Sequence, residues 1–443
     1  LSVAPCYLSW PSLTDLAEVA GYQGLSEDRR KALMDPNRDA LVVRMRSYFD
    51  AGISWAEYAA RGSVLSDDYV DFDAASTRGR LLAEGYDAAR VRPYSVRPFD
   101  DWWCYYSGVR PLWRRHRPDY WRQAWAGNAF LVSRLNAAAR DEGLAAVPVS
   151  GLCDYHCVQP NAVALPFMLR GSGIDGLFDQ DVRPNLSVPS LAYLKDLGLV
   201  SAEPADTAGA VWLHAIAMMS GPGYLAENAD GVRTDWPRIP LPRTADVLRA
   251  SSRVGAAVAS LLAPDLKTPI EPLPLVTHIA LGALSSRGGQ LDPSVDLAVT
   301  ARWGIAGKGG ITMPSTGKLT ERSYTAAELA AIAEGAATLG MSGDQAIQLL
   351  GETCFDIYLN DVAYWSCVPA NVWRYTIGGY QVIKKWLSYR ARPLLGRDLK
   401  SEEARYVTEM VRRIAALVLM QPELDANYER VKADVWEWGS NDS

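Results

Sequence analysis

Two segments of the sequence combine basic and aromatic side chains in a pattern suited to binding a polyanion. The first places one acid, Asp119, among the bases and rings Arg110, Trp113, Arg114, Arg115, His116, Arg117, Tyr120, Trp121, Arg122 and Trp125. The second, from Arg374 to Arg413, has ten Lys and Arg residues against four acids. Such groups neutralise phosphates and release counterions, and arginine also reads guanine edges. Solvated helix faces with long side chains packed over aromatic rings are the alternative, and charge alone leaves both open.

A glycine-rich loop from Trp303 to Arg322 is a further candidate for phosphate binding. Its run from Gly304 to Gly310 is similar to a phosphate cradle, but a P-loop needs glycine where Arg302 stands and Ser or Thr where Gly309 stands. Nucleotide binding is therefore not expected there. The loop still offers Lys308, Lys318 and Arg322 as candidate DNA contacts, although an ordinary surface loop fits equally well.

Other chemical patterns give no assignment. The run from Cys153 to Cys157 offers soft ligands, but a structural zinc site usually needs a second spaced pair, so buried thiols beside a hydrogen-bonded His156 are favoured. The pairs Asp67-Asp68 and Asp100-Asp101 are candidate glycosidase acids, yet adjacency in sequence does not fix the separation that this chemistry needs. We assign no catalytic and no metal-binding residue.

Length and composition favour a large core and two or three domains. The 443 residues are 49% hydrophobic and 22% charged, with a formal net charge of −6. No run of about 18 apolar residues is present, which predicts no membrane span. Six cysteines are few for this length and favour a reducing, cytoplasmic location. The sequence begins at Leu1 rather than Met and lacks a signal-peptide pattern, which leaves open that it is part of a longer chain.

The elements that must position these residues are predicted to be mixed helices and strands, the α+β class. Residues 1–90 are expected to be mainly helical, including a short helix between Asp73 and Gly85, and strands and turns follow from Val91. Further elements predicted from local patterns are helices at Thr207–Ser220 and Thr244–Leu262, a strand at Val295–Trp303, a helix opened by the capping box at Thr325, a hairpin at Phe355–Trp365 and an amphipathic helix capped by Ser401.

Several blocks of the sequence occur in the order found in type ISP restriction–modification enzymes. Tyr94-Ser-Val-Arg-Pro-Phe-Asp100 resembles their Tyr-x-x-Arg-Pro-Phe-Asp motif, and Val372–Arg390, which contains Gly378-Gly379-Tyr380-Gln381, is the clearest match. The other similar blocks are Leu25–Met34, Asp39–Asp50, Phe72–Asp87, Gly127–Val132, Asp154–Pro166, Arg183–Ser187 and Asp235–Pro242. The resemblance covers nearly the whole chain and concerns the C-terminal part of these enzymes.

The resemblance implies a helical coupler over residues 1–90 and a target-recognition domain over residues 91–443, with an internal boundary near residues 264–274. It implies sequence-specific binding of double-stranded DNA as part of a phage-defence enzyme that methylates adenine. The Asn/Asp-Pro-Pro-Tyr and Phe-x-Gly-x-Gly motifs of the methyltransferase are not found here, so we expect no activity from this chain by itself. S-adenosylmethionine, ATP and Mg²⁺ would then bind to other domains, upstream in the same polypeptide or on another chain.

The residues expected to contact DNA combine the charge pattern with the resemblance. They are Lys308, Lys318, Arg322, Gln381, Lys384, Lys385, Arg390, Arg114, Arg115 and Arg117. Two other functions stay open from the sequence. One is a glycan-active hydrolase, suggested by 15 Trp and 21 Tyr residues, and the other is an assembly module that docks on a methyltransferase without touching DNA.

Overall fold

The computed structural model describes residues 3–135, 142–171, 181–273, 279–307 and 312–439. Its strands are β1 (Tyr22–Gln23), β2 (Met34–Asp35), β3 (Val91–Arg97), β4 (Asp100–Tyr105), β5 (Phe130–Arg134), β6 (Val147–Val149), β7 (Leu152–Cys153), β8 (Ala162–Pro166), β9 (Met168–Arg170), β10 (Val182–Pro184), β11 (Ala283–Ser286), β12 (Gly304–Ala306), β13 (Thr312–Pro314), β14 (Leu319–Arg322), β15 (Cys354–Tyr358), β16 (Ala363–Pro369), β17 (Thr376–Ile377) and β18 (Tyr380–Gln381).

Helices are interspersed with these strands along the chain. They are α1 (Leu13–Leu16), α2 (Arg38–Tyr48), α3 (Trp55–Ala60), α4 (Ala74–Glu84), α5 (Pro118–Gln123), α6 (Val188–Asp196), α7 (Pro204–Ser220), α8 (Pro222–Glu227), α9 (Ala229–Thr234), α10 (Ala245–Leu262), α11 (Ala326–Ala337), α12 (Gly343–Leu350), α13 (Ala370–Trp373), α14 (Val382–Arg390), α15 (Arg392–Leu395), α16 (Ser401–Leu419) and α17 (Gln421–Lys432). This mixture confirms the predicted α+β class.

The described part of the N-terminal region contains four α-helices, α1 to α4, separated by turns and short strands, so it is less helical than predicted, although the predicted helix between Asp73 and Gly85 is present. The side chain of Asp73 accepts the N–H of Ser76 at the start of α4, and Gly85 ends that helix with φ 79°. The region also supplies two short strands to sheets formed by later sequence, because β1 pairs with β8 and β2 pairs with β4. The coupler boundary near residue 90 stays a prediction.

Three four-stranded sheets and the three two-stranded pairs β9-β10, β12-β13 and β17-β18 form the β part of the described chain. The strand orders of the four-stranded sheets are β1-β8-β5-β6, β2-β4-β3-β7 and β11-β16-β15-β14. The strands β5 and β8 are buried along their whole length, so this sheet lies inside the protein. The hairpin of β15 and β16 confirms the one predicted around Asn360.

Two long helices, α7 and α10, form the centre of the helical part. Most of α7 is buried on every side, and Gly255 allows α10 to approach it closely, since a Cβ there would lie 1.7 Å from the carbonyl oxygen of Leu213. The amphipathic helix α16 packs against α10, as its apolar face predicts. Its N-cap is Lys400 rather than the predicted Ser401, which is the first helical residue.

Two local predictions differ from the structure. The strand predicted at Val295–Trp303 is irregular instead. The N–H groups of Thr300 and Ala301 both bond the carbonyl of Leu359, whereas the carbonyls of Leu297 and Val299 accept from Leu399 and Arg392, so no regular ladder forms. The loop predicted from Trp303 to Arg322 contains the paired strands β12 and β13 and the strand β14. Among the described residues, no helix combines the length and the apolar character needed to cross a membrane.

Candidate nucleic-acid interface

A surface cleft of about 470 Å³ brings together most of the bases of the first basic segment. It is lined by the bases Arg110, Arg114, Arg115, His116 and Arg117, by the acid Asp119, and by the side chains of Tyr22, Gln23 and Tyr120. Backbone bonds between Ser26 and Arg115, at 3.1 and 3.2 Å, fix the segment to the N-terminal region. The chain then turns sharply at Arg117, where φ is 43°, before Pro118 starts α5.

The cleft concentrates positive charge that the protein only partly neutralises. Burial and the neighbouring Arg110 and Arg117 lower the pKa of His116, and burial and Arg115 lower the pKa of Arg117. The carboxylate of Asp28 pairs with Arg114 at 3.1 Å, whereas the guanidinium of Arg115 lies 4.3 Å from the ring centre of Tyr155. An anion bound in the cleft would reduce the electrostatic repulsion among these bases.

A second cleft, of about 570 Å³, lies next to the first. It is lined by the bases Arg30, Lys31, Arg44, Arg397 and Lys400. The two clefts are neighbours because Asp28, which pairs with Arg114 of the first, is two residues from Arg30 of the second. We call the lining bases of both clefts the basic band: Arg30, Lys31, Arg44, Arg110, Arg114, Arg115, His116, Arg117, Arg397 and Lys400.

A buried carboxylate holds the part of the basic band at Arg30 and Lys31 in place. Glu27 accepts the backbone N–H groups of Arg29, Lys31 and Leu33 at 3.3, 2.7 and 2.8 Å, and its burial raises its pKa. Arg30 and Lys31 both have left-handed backbone conformations, with φ 50° and 67°. Such strained positions persist where surrounding contacts fix them, and they cluster at functional sites.

Within the second cleft the charges are unequally compensated. Arg44 pairs with Asp35, Arg397 with Glu403 and Arg30 with Asp67, at 2.5, 2.6 and 3.6 Å. Lys31 and Lys400 form no ion pair with a described residue. Loss of solvation lowers the pKa of Lys31, whose ammonium lies 4.6 Å from the ring centre of Tyr389 although the residue as a whole is exposed.

Two of the predicted DNA contacts are held inside the protein. Arg390 is 4% exposed, pairs with Asp100 at 2.6 Å and lies 4.1 Å from the ring centre of Trp386. Lys385 is 8% exposed and sits 4.8 Å from the ring centres of both Tyr380 and Tyr389; burial lowers its pKa to about 8. Both cations have internal partners, and their contact with DNA stays a prediction.

The other predicted contacts of the C-terminal half are spread over several elements. Gln381 donates to the carbonyl of Trp373 at 3.2 Å, and Lys384 follows it on α14 without an ion pair to a described residue. Lys318 pairs with Asp361 at 2.6 Å, whereas Arg322 bridges Glu328 and Asp356 at 2.8 and 3.0 Å. Lys308 lies outside the described residues. Only Arg114, Arg115 and Arg117 of the predicted set lie in the basic band.

The structure adds cleft residues that the sequence analysis missed. Gln23 accepts a hydrogen bond from Arg117, and Arg30 and Lys31 line the second cleft. The bases of the run Glu27-Asp-Arg-Arg-Lys31 could have indicated Arg30 and Lys31, but the charge pattern of this run is typical of a helix. The run forms a turn instead, because the buried carboxylate of Glu27 accepts backbone N–H groups within it.

The predicted thiols and acid pairs have structural contacts. Cys153 and Cys157 are buried, as predicted, and His156 donates its backbone N–H to Asp154 at 2.8 Å. Asp100 is held by Arg390, and Asp68 accepts the N–H of Ala74 at 2.9 Å.

A comparison with protein families identifies the chain. Residues 22–414 match the model of the type ISP C-terminal specificity domain. The chain belongs to this family. The match confirms the resemblance found in the sequence and the interpretation of the chain as the specificity part of a type ISP enzyme. No curated protein matches the sequence.

Solved structures with a similar fold include three large enzymes. A DrdV–DNA complex shares 14% identity at a TM-score of 0.56, over 91% of this chain and 35% of that one. A nuclease-deletion mutant of the type ISP restriction-modification enzyme LlaGI, in complex with a DNA substrate mimic, shares 12% identity at a TM-score of 0.53, over 96% and 34%. The ATP-dependent type ISP restriction-modification enzyme LlaBIII bound to DNA shares 12% identity at 0.57, over 96% and 24%. The chain thus spans about a quarter to a third of their lengths.

Proposed function

We propose that this specificity domain binds duplex DNA through the basic band and recognises a particular sequence in it. The observation that carries the proposal is the first cleft, which four arginines and His116 line together with one carboxylate, Asp119. Asp119 pairs with Arg122 and Asp28 pairs with Arg114, so these acids neutralise only part of the positive charge. DNA phosphates bound along the basic band would offset the repulsion among these bases and would release counterions. The structures with a similar fold include enzymes bound to DNA, which supports the same partner here.

The clefts suit a polynucleotide backbone better than a small enclosed ligand. Both are open to the surface rather than enclosed. Four arginines line the first, and the second combines five bases with apolar side chains such as Met34, Trp102 and Leu395. Contacts of this kind set register and orientation on a duplex, while sequence is read by other side chains at the base edges. The basic band is therefore proposed as the positioning surface.

Methylation of adenine and cleavage of DNA are proposed for other domains of the same enzyme. Those domains would hold S-adenosylmethionine, ATP and Mg²⁺, either upstream in the same polypeptide or on a partner chain. The specificity domain would then determine which adenine reaches the methyltransferase.

Selection of binding sites from random duplexes tests recognition. The chain is immobilised, bound duplexes are amplified over several rounds, and the products are sequenced. Enrichment of one motif is expected. Salt-sensitive binding without enrichment would contradict recognition and leave only nonspecific clamping. An assembly module that never touches DNA would retain no duplex in any round.

A further inference from the structure

The hairpin of β12 and β13 exposes a pair of apolar side chains on one face. Ile305 and Met313 lie directly opposite each other in the antiparallel register, so both side chains point to the same side of the ribbon. Each is 49% exposed. On the other face, Thr312 is buried, and α14 packs against both strands.

The base of this hairpin is fixed rigidly to the protein. Trp303 is fully buried and donates its indole N–H to the carbonyl of Tyr358 at 2.7 Å. Gly304 lies so close to α14 that a Cβ would be 2.1 Å from the carbonyl oxygen of Ser388. Gly317, with φ +67°, lies against the ring of Trp303. Ile305 and Met313 therefore lie on the exposed face of a hairpin whose base is fixed to the core.

Two cations without a described ion-pair partner lie on segments that adjoin the hairpin. Arg302 precedes the hairpin, is exposed and has a left-handed backbone with φ 58°. Lys384 lies on α14, the helix beneath the ribbon. Neither forms an ion pair with a described residue, and the sequence has no acid between Asp296 and Glu321. An exposed apolar pair with cations on the adjoining segments complements a polyanion that presents apolar groups.

Duplex DNA has this combination of properties in its major groove. The groove is about 12 Å wide and admits a two-stranded ribbon, its edges carry phosphates, and each thymine presents a C5 methyl group on its floor. A protein partner would need an apolar groove with acidic edges, for which the proposed function gives no reason.

We propose that the β12–β13 hairpin is a reading element of this domain. Ile305 and Met313 contact thymine methyl groups in the major groove, and Arg302 and Lys384 hold the phosphates on either side. This inference rests on the proposed function and deepens it, because it assigns base reading to an element separate from the basic band.

The test replaces thymine by uracil in the selected target duplex, one position at a time. Uracil keeps the base pairing and removes only the methyl group, so the wild-type chain should bind about fourfold more weakly at one or more positions, the effect of about 0.8 kcal/mol for one buried methyl group. The variant Ile305→Ala/Met313→Ala should bind the thymine and uracil duplexes equally. Fluorescence anisotropy gives both affinities.

A matched control removes two equally exposed apolar side chains elsewhere. Leu8→Ala/Val295→Ala changes residues that are 69% and 66% exposed, and it should discriminate thymine from uracil as the wild type does. Circular dichroism should show that both double variants are folded, because none of the four side chains lies in the core.

The possible outcomes distinguish a failure of the hairpin proposal from a failure of the proposed function. A target without thymine, or equal wild-type affinity for thymine and uracil at every position, would overturn the reading role while DNA binding by the basic band stands. Loss of self-association in the Ile305→Ala/Met313→Ala variant, with sequence preference unchanged, would make the hairpin a contact between copies. Absence of any duplex binding by the wild type would overturn the proposed function itself.

Discussion

The guanidinium of Arg390 lies 2.6 Å from the carboxylate of Asp100, and both side chains are almost completely buried. The pair joins α14 to β4, which are nearly 300 residues apart in the sequence. A buried pair costs desolvation on both sides, but removing one partner leaves an uncompensated charge. Arg390 therefore stabilises the junction between the N-terminal and C-terminal parts of the chain.

Asp100→Ala should lower the free energy of unfolding by about 3–5 kcal/mol, because Arg390 would stay buried without its carboxylate. Urea denaturation followed by tryptophan fluorescence measures the change. Arg392→Ala is the control: its pair with Asp398 is 56% and 34% exposed, and its loss should cost less than about 1 kcal/mol. Equal effects of the two substitutions would contradict the structural role of the buried pair.

Lys385 predicts a pH dependence of stability. Its pKa of about 8 in the folded protein is below the value of about 10.4 in an unfolded chain, so the unfolded state binds more protons between these values. Stability should therefore rise with pH through this window, by about 1 kcal/mol between pH 7 and 9. Lys385→Met should lack this increment. An identical pH dependence in both proteins would show that the ammonium is not desolvated.

Gly255 predicts a steric limit on the packing of α7 and α10. Gly255→Ala would place its Cβ 1.7 Å from the carbonyl oxygen of Leu213 and should destabilise the protein by about 1–3 kcal/mol or more. Gly79→Ala in α4 is the matched control, because nothing lies within 4 Å of its Cβ position, and it should be neutral or stabilising by up to about 1 kcal/mol. Thermal unfolding of the two variants distinguishes them. An unchanged melting temperature of the Gly255→Ala variant would show that α7 and α10 can move apart to accommodate the methyl group without loss of stability.

His116 predicts proton uptake on DNA binding. Burial and the nearby Arg110 and Arg117 lower its pKa in the free protein, so it is neutral at pH 7, and a phosphate in the cleft would raise the pKa again. Affinity should therefore increase as the pH falls from 7 to 5.5, and His116→Gln should remove part of that increase. His156→Gln is the control, since His156 is half exposed and lies beside Asp154 outside the cleft. A larger effect at His156 would place the phosphates elsewhere.

Local signals made much of the fold predictable from the sequence. The cap at Asp73, the capping box at Thr325 and the apolar face of α16 each depend on residues within a few turns of one another, and each appears as expected. The predicted strand at Val295–Trp303 failed because alternation reports burial, which Leu297 and Val299 do show, but not the presence of a neighbouring strand.

The candidate site was harder to predict because it depends on contacts between distant residues. The basic segment around Arg115 was visible from composition, but its partner at Arg30 and Lys31 is formed by a turn around the buried Glu27. The density of bases likewise placed Arg390 and Lys385 among the predicted DNA contacts. In the structure, aromatic and acidic partners bury both side chains. Sequence gives the number of bases in a segment, whereas burial determines which of them face solvent.

The salt dependence of duplex binding tests the central claim most directly. Affinities of the wild-type chain and of Arg115→Gln/Arg117→Gln are measured by anisotropy between 50 and 200 mM salt. About six phosphate contacts along the basic band predict a loss of roughly 1000-fold for the wild type and a slope smaller by about two in the double variant. Binding that is insensitive to salt, or an unchanged slope in the double variant, would contradict the basic band as the DNA-binding surface.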